Sequence, residues 1–242
     1  MKAKLLYFLI LFSAVTFSCS KKESPEIILL QGNFSSENTL NVYKTELYTN
    51  KGKITNETII ANYINRKSLT GVFLDSKIKT LYMSTHLTIE IDQQGNFSST
   101  NFYRPYASGK MERLTNNEVL LISNDSTTRY FPPGNIGGGI FVNCPADYVL
   151  RYPPSIKCIS MPLETGYSEV CKTKILIPII IKNSESLAIP IYTISYSGNG
   201  IGDKERCVLQ EQSNFIKEDF YKNLSEGDTV LVQKKEQLLK KM

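Results

Sequence analysis

The clearest pattern in the chain is an alternation of apolar and polar positions over residues 81–92. Leucine, methionine, threonine and isoleucine hold the odd positions, and mostly polar side chains hold the even ones. A period of two is typical of a strand with one face buried and the other turned to solvent. This stretch therefore predicts a long, half-buried β-strand.

Short β-rich segments continue this pattern through residues 71–131. Glycine, asparagine and aspartate separate them at residues 92–96, 108–110, 116–117 and 124–126. Strands joined by such turns form antiparallel meanders. The predicted fold is mainly β, an antiparallel meander forming a barrel or a sandwich with one or two short helices.

The second half of the chain contains a second sheet-forming region. The apolar runs 174–181 and 187–196 flank a polar turn and predict a hairpin. Pro178 and Pro190 each remove a ladder donor, which predicts sheet edges or bulges at these positions.

Helical periodicity appears twice. Residues 55–69 place Ile59, Ile60, Tyr63 and Ile64 on one helical face, and Thr55 or Asn56 can cap its start. Residues 215–224 repeat an apolar residue every fourth position and predict a second helix. A last strand at 229–232 and a solvated basic tail at 234–241 follow.

The N-terminus resembles the leader of a bacterial lipoprotein. Lys2 and Lys4 precede an apolar run that is too short for a spanning helix, and Ser18 and Cys19 follow it. The resemblance implies that Cys19 is acylated and that the protein is exported and lipid-anchored in the bacterial envelope, at the outer membrane. Ordinary cleavage, giving a soluble periplasmic or secreted protein, and an uncleaved anchor are the alternatives.

This leader sets the predicted domain organisation. A signal peptide covers residues 1–18, and the lipidated cysteine with its tether covers 19–26. The β meander covers 27–131, and a Pro/Gly-rich loop covers 132–139. Residues 140–242 form a disulfide-bearing β region with a C-terminal helix, strand and basic tail, either separate from 27–131 or part of one domain with it.

The cysteine count agrees with export. The chain has five cysteines, and assigning Cys19 to lipid leaves an even set of Cys144, Cys158, Cys171 and Cys207. An even set in an exported chain predicts two disulfides, which would hold the loop-rich region 141–171, while the pairing stays open. Free buried thiols and a four-cysteine metal site are the alternatives. The spacing lacks the C-x₂-C pattern of zinc sites, so we predict no metal and no cofactor.

Charge excludes one class of partner. The chain has 28 basic and 23 acidic residues, a net charge of +5, without the dense basic face of a nucleic-acid binder. We therefore expect no nucleic acid. The expected partners are the membrane, through the lipid anchor, and an envelope protein, a peptide or a small apolar ligand.

Candidate catalytic groups are few. His86 is the one histidine, and it shares the polar face of the predicted strand with Glu90 and Asp92. Paired carboxylates serve glycoside hydrolysis when they line a cleft, and a histidine can act as a base. No nucleophile-elbow motif accompanies them. We predict no catalytic residue, with a carboxylate or His86 hydrolase as the alternative function.

Aromatic residues suggest an interaction surface. The chain has 14 tyrosines, 11 phenylalanines and no tryptophan. Tyrosine and arginine are enriched at protein contact sites, although tyrosine is also an ordinary strand residue. The candidate patch consists of Tyr103, Arg104, Tyr106, Tyr130 and Phe131.

The meander also resembles lipocalin-type barrels in its order of turn-linked strands. Gly32, Asn33 and Phe34 stand where that family places Gly-x-Trp, but the tryptophan is absent. The resemblance implies a closed antiparallel barrel and implies no particular ligand. The predicted function is that of a membrane-tethered envelope lipoprotein with a non-enzymatic binding or interaction role.

Overall fold

The computed structural model describes residues 30–82, 86–100, 107–131, 146–152, 156–163, 166–198 and 206–242 of the chain. Within these ranges, side chains are described except at 125–131, 146–147, 156–163, 166–174 and 206. The predicted signal peptide, Cys19, the tether and the loop 132–139 lie outside the described residues.

The described chain is mainly β, which confirms the predicted class. Its strands are β1 (Gly32–Val42), β2 (Glu46–Thr49), β3 (Gly52–Ile54), β4 (Thr80–Tyr82), β5 (Thr88–Ile91), β6 (Asn96–Thr100), β7 (Ala107–Arg113), β8 (Glu118–Phe131), β9 (Ile156–Leu163), β10 (Gly166–Asn183), β11 (Ser186–Ser197), β12 (Arg206–Ser213) and β13 (Thr229–Lys241). Its helices are α1 (Glu57–Arg66), α2 (Ala146–Val149) and a 3-10 turn (Phe220–Asn223). Among these described helices, none has the length and apolar character needed to cross a membrane.

Eight strands close into an antiparallel barrel. The ring order is β1, β5, β6, β7, β8, β10, β11 and β13, and β13 pairs back with β1. The ring strands keep their order along the chain, with β2–β4, β9 and β12 inserted between them, so the barrel is an up-and-down meander. This confirms the predicted antiparallel β fold, with the barrel rather than the sandwich as its form, and is compatible with a lipocalin-like barrel.

Aliphatic side chains fill the inside of the barrel. Phe34, Ile89 and Leu121 are at most 1% exposed and belong to one cluster with apolar residues from every strand of the ring. Leu87, Ile89 and Ile91 point inward while Glu90 between them is exposed, as the alternation predicts. Each such buried side chain contributes about 1.5–3 kcal/mol relative to exposure.

A second sheet continues from one end of the barrel. Here β11 and β13 extend beyond the ring and pair with β12 and with β2 and β3, in the order β12-β11-β13-β2-β3. Leu150, Phe220 and Leu224 cover one face, and α1 with Leu69 and Phe73 covers the other. With both faces covered, β11 is buried along nearly its whole length, which explains its continuous apolar sequence.

Two strand boundaries differ from the prediction. Residues 81–92 do not form one strand, since β4 and β5 are separate elements that both pair with β1. The predicted turn at 124–126 is wrong, because β8 runs through it. Ser126 and Thr127 pair there with Lys174 and Thr173 of β10, so tertiary pairing outweighs the local turn preference.

The two prolines lie where their strands lack one neighbour. In the described pairings, β10 pairs with β9 as far as Thr173 and with β11 from Ile180, so Pro178 falls between them. Pro190 lies between the part of β11 that pairs with β10, which ends at Ala188, and the part that pairs with β12, which begins at Ile191. Both strands are central, and the missing N–H is tolerated at these changes of partner.

The predicted helix at 215–224 is wrong. Phe215 accepts a hydrogen bond from the Arg151 amide at 2.8 Å, and the Lys217 amide donates to the Val149 carbonyl at 2.9 Å. These bonds hold the start of the segment extended against the α2 region, so only the 3-10 turn remains helical.

The predicted basic tail is also wrong. Residues 229–241 form β13, the strand that closes the barrel. Lys235, Glu236 and Gln237 in its middle are 5%, 1% and 2% exposed. Because these side chains are polar, the hydrophobicity pattern does not predict a central strand here.

Candidate binding cleft

A cleft of about 290 Å³ lies between α1 and the segment that follows it, on one face of the second sheet. Its lining combines apolar side chains with a polar rim. The lining residues are Lys44, Thr45, Glu57, Ile60, Ala61, Ile64, Asn65, Thr70, Phe73, Leu74, Asp75 and Ser76.

One face of α1 forms a wall of the cleft. Glu57, Ile60, Ala61 and Ile64 recur at spacings of three and four residues, which lie above one another on a helix. The Asn56 side chain accepts a hydrogen bond from the Ile59 amide at 3.2 Å and caps the helix. The predicted helix is therefore confirmed, except that Ile59 faces solvent at 49% exposure.

The opposite wall is held by a buried glutamine. The Leu74 amide donates to Gln233 Oε1 at 3.0 Å, and Gln233 Nε2 donates to the Leu74 carbonyl at 2.9 Å. Gln233 is 0% exposed. Its amide occupies both backbone groups of Leu74 as a neighbouring strand would, and this fixes the wall against β13.

The ionisable lining residues are exposed and lie at the rim. Lys44 Nζ and Glu57 Oε1 are 2.5 Å apart, and the hydrogen bond and charge of Lys44 lower the pKa of the Glu57 carboxyl. Asp75 accepts a hydrogen bond from the Lys77 amide at 2.8 Å. Charge therefore surrounds the mouth, while Ile60, Phe73 and Leu74 supply the buried or half-buried apolar surface.

Thr45 places a buried polar atom at the cleft. Among the described side chains, its Oγ1 and Asp228 Oδ1 are the buried polar atoms without a hydrogen-bond partner. An unsatisfied buried hydroxyl costs about 1–3 kcal/mol.

A buried carboxylate marks the outer surface beside β1. Glu236 accepts from Tyr43 Oη at 2.6 Å, lies 2.5 Å from Lys234 Nζ and lies 3.1 Å from Lys182 Nζ. Burial alone would raise the pKa of Glu236, but these three partners outweigh it and leave the pKa lowered. Burial, followed by the bond to Glu236 and its charge, raises the pKa of Tyr43 to about 12.

The predicted polar trio does not contribute to the cleft. His86 Nε2 lies 2.9 Å from Ser35 Oγ at an exposed position, and Glu90 is exposed on β5. Asp92 Oδ1 accepts from the Gln94 and Asn96 amides at 2.9 and 2.8 Å, which holds the β5–β6 turn. These bonds give Asp92 a structural role. The hydrogen bond that the Asn96 side chain donates to Asp92 Oδ2, followed by the backbone bonds, lowers the pKa of the Asp92 carboxyl.

Most of the predicted aromatic patch lies outside the residues and side chains that the structure describes. Tyr103, Arg104 and Tyr106 lie outside the described residues. Tyr130 and Phe131 occupy strand positions in β8, opposite Val170 and Glu169, and their side chains are not described. This patch stays a prediction.

Three cysteines lie on described strands, and β9 with the start of β10 corrects the expectation that residues 141–171 are loop-rich. Cys158 of β9 stands directly opposite Cys171 of β10. Cys207 of β12 is buried and disulfide-bonded, and the other half of that bond lies outside the described side chains. Cys144 lies outside the described residues, so the two-bridge pairing stays a prediction.

Sequence patterns point to only half of this cleft. The amphipathic face of α1 is legible from its period, but Thr45, Leu74 and Gln233 are far apart along the chain. Nothing in the sequence around Gln233 predicts that its side chain bonds to the backbone of Leu74, which is far away in the chain.

Within the described ranges, no group of three or more histidine, cysteine or acidic side chains could hold a metal ion. Comparison with protein-family models, curated proteins and solved structures finds no match to this chain.

Proposed function

We propose that this chain is a membrane-tethered lipoprotein of the bacterial envelope whose role is non-enzymatic binding, with the α1 cleft as its binding site. The observation that carries the proposal is the layout of the cleft. Apolar side chains form its inner surface, the ionisable groups stay exposed at its rim, and its wall includes Thr45, whose buried hydroxyl has no hydrogen-bond partner. Such a site suits a small apolar ligand or an apolar peptide side chain bearing one polar group.

The positions of the predicted catalytic groups favour this role over the hydrolase alternative. His86, Glu90 and Asp92 lie away from the cleft lining, and Asp92 holds a turn. A carboxylate hydrolase needs two such groups facing one concave site. We therefore put binding first.

A matched pair of helix substitutions tests the cleft. Ala61 lines it, whereas its neighbour Asn62 is exposed on α1 and does not. The probe is N-acetyl-leucinamide, followed through the isoleucine methyl signals of Ile60 and Ile64. We expect binding by the unchanged protein and by Asn62→Phe, and loss of binding by Ala61→Phe. No shift in the unchanged protein, or equal loss in both variants, would contradict the proposed site.

Lipid attachment at Cys19 is tested separately. Growth with labelled palmitate should label the full chain, and mass spectrometry should find the acyl groups on the N-terminal peptide. Cys19→Ser should abolish the label and release the protein from the membrane fraction. An unacylated Cys19 in the mature protein would contradict the tether and leave the cleft experiment unaffected.

The disulfide pattern we propose is Cys158 with Cys171 and Cys144 with Cys207. Residues directly opposite in an antiparallel pair have Cα atoms about 4.5–5.5 Å apart, within the range that a disulfide spans. The register of Cys158 and Cys171 supports the first bridge, and the count then leaves Cys144 for Cys207. Peptide mapping without reduction should recover these two linked pairs; a Cys207 linked to Cys158 or Cys171 would overturn them.

A further inference from the structure

Exposed apolar side chains concentrate on one outward face of the β1/β4 pair and of the residues that flank it, Tyr43 after β1 and Ile78 before β4. Tyr43, Ile78 and Tyr82 are 42%, 36% and 79% exposed. They are half of the described large hydrophobic residues with such exposure; the others are Ile59, Tyr148 and Met242. Isolated exposed residues need no explanation, but a contiguous group marks a contact site.

The strand register makes this group contiguous. Thr39 stands opposite Tyr82 and Asn41 opposite Thr80, and the Val42 amide donates to the Lys79 carbonyl at 2.8 Å. Continuing that register places Ile78 opposite Tyr43. Side chains directly opposite share one face of a sheet, about 5 Å apart. We call Thr39, Asn41, Tyr43, Ile78, Thr80 and Tyr82 the β1/β4 face.

Basic side chains border the β1/β4 face. Lys234 Nζ lies 5.0 Å from the centre of the Tyr43 ring. Lys234 and Lys182 share the single carboxylate of Glu236. Two cations on one anion leave a net positive charge beside the aromatic rings.

We propose that the β1/β4 face docks on the anionic lipid surface of the membrane to which the chain is tethered. Tyrosine rings settle at the level of the lipid head groups, and lysines near an anionic surface add about 1 kcal/mol each. The inference rests on the proposed lipid anchor for its location, while the chemistry of the face stands on the described residues.

The tether is long enough for this arrangement. The chain between Cys19 and Leu30 spans on the order of 35 Å when extended, comparable to the length of β1. The anchor and the β1/β4 face can therefore reach one bilayer together. Because Lys44 follows Tyr43 and Ser76 precedes Ile78 by two positions, the face adjoins the rim of the cleft. Docking would bring the cleft mouth close to the membrane.

Vesicle binding by an unacylated protein tests the face without the anchor. The sample is the mature chain from residue 19 carrying Cys19→Ser, sedimented with vesicles of phosphatidylcholine and phosphatidylglycerol in roughly a three-to-one ratio. We expect binding to these vesicles, weaker binding to pure phosphatidylcholine, and release by high salt. The double variant Ile78→Ser/Tyr82→Ser should bind about tenfold less.

Tyr148→Ser is the matched control, because Tyr148 is 49% exposed and lies on α2, outside the face. It should bind vesicles as the unchanged protein does, and all variants should keep the same far-ultraviolet circular dichroism. Absence of vesicle binding, equal loss in the control, or no loss in the double variant would overturn the proposal. The proposal would also be overturned if Ile78 and Tyr82 were required for self-association or for binding another protein while the chain did not bind lipid. Each of these results is independent of whether Cys19 is acylated.

Discussion

At the scale of single residues, the most consequential side chain is the Glu236 carboxylate. It is 1% exposed, and its three partners come from β10, from β13 and from the residue after β1. Removing it leaves Lys182 and Lys234 without their shared anion, but both are about one third exposed and can be hydrated. The cost is therefore moderate for a buried charge.

We predict that Glu236→Gln lowers the free energy of unfolding by about 1–3 kcal/mol at neutral pH. Chemical denaturation measures this change. The control is Glu37→Gln, which removes a surface ion pair with Lys240 and should cost less than about 1 kcal/mol. Equal effects of the two substitutions would contradict the structural role of the buried cluster.

The same carboxylate predicts a pH dependence. Since the folded pKa of Glu236 lies below the ordinary 4.5, the folded state binds fewer protons than the unfolded state. Its contribution to stability is present above pH 4.5 and is lost as pH falls through the folded pKa. The stability difference between the unchanged protein and Glu236→Gln should shrink over this acid range, measured by denaturation at stepped pH. A constant difference would rule out ionisation as its source.

The sequence predicts correctly which side chains are buried where apolar residues are buried and polar residues are exposed. The alternation assigns Leu87, Ile89 and Ile91 correctly to the inside of the barrel. It fails for Glu236 and Gln233, because their burial depends on partners far away in the chain, Lys182 and the Leu74 backbone. Polarity alone cannot identify a polar residue whose hydrogen bonds are satisfied by the fold.

At the scale of elements, α1 can be predicted because its signals are local. The cap and the apolar face lie within the helix itself. The segment 215–224 has a similar period, yet the Phe215 carbonyl and the Lys217 amide bond to the α2 region instead. A periodic pattern therefore predicts a helix only where no neighbouring segment competes for its backbone.

We predict that Asn56→Ala destabilises the protein by about 1 kcal/mol, because it removes the hydrogen bond to the Ile59 amide. Since α1 forms a wall of the cleft, probe affinity should fall as the helix frays. Denaturation and the isoleucine methyl signals measure the two effects. Asn56→Asp keeps an accepting oxygen and should restore both; failure to restore them would exclude capping as the cause.

The contact between β7 and β8 gives a sharper prediction. A Cβ at Gly109 would lie 1.9 Å from the Ile122 carbonyl oxygen and 2.9 Å from the Phe97 ring. The backbone of β8 is held by its pairing with β7 and cannot move far enough to remove this clash. Gly109→Ala should therefore cost about 3 kcal/mol or more, as overpacking of a core can. The exposed neighbour Ser108→Ala is the control, and a thermal midpoint equal in both would refute this packing.

At the scale of the whole molecule, the sequence predicts the mainly β fold class but not how the barrel closes. Turn-linked strands indicate a meander, and the barrel confirms it. The ring closes only because β13 pairs with both β1 and β11. Its lysines and glutamines resemble a solvated tail, so neither the closure nor the second sheet is visible in the pattern.

We predict that deleting residues 236–242 prevents folding, because the deletion removes most of the pairing of β13 with β1. Near-ultraviolet circular dichroism and solubility after expression measure the effect. Removing Met242 alone should leave both unchanged. A folded, soluble product of the longer deletion would show that the barrel does not depend on β13.

The pairing of β1 with β13 also governs how fast the barrel can close. Phe34 pairs with Lys241, so this contact joins the first described strand to the last. Contacts of such long sequence separation form slowly, commonly within milliseconds to seconds for β proteins. We therefore expect closure of the ring to be a slow step in folding.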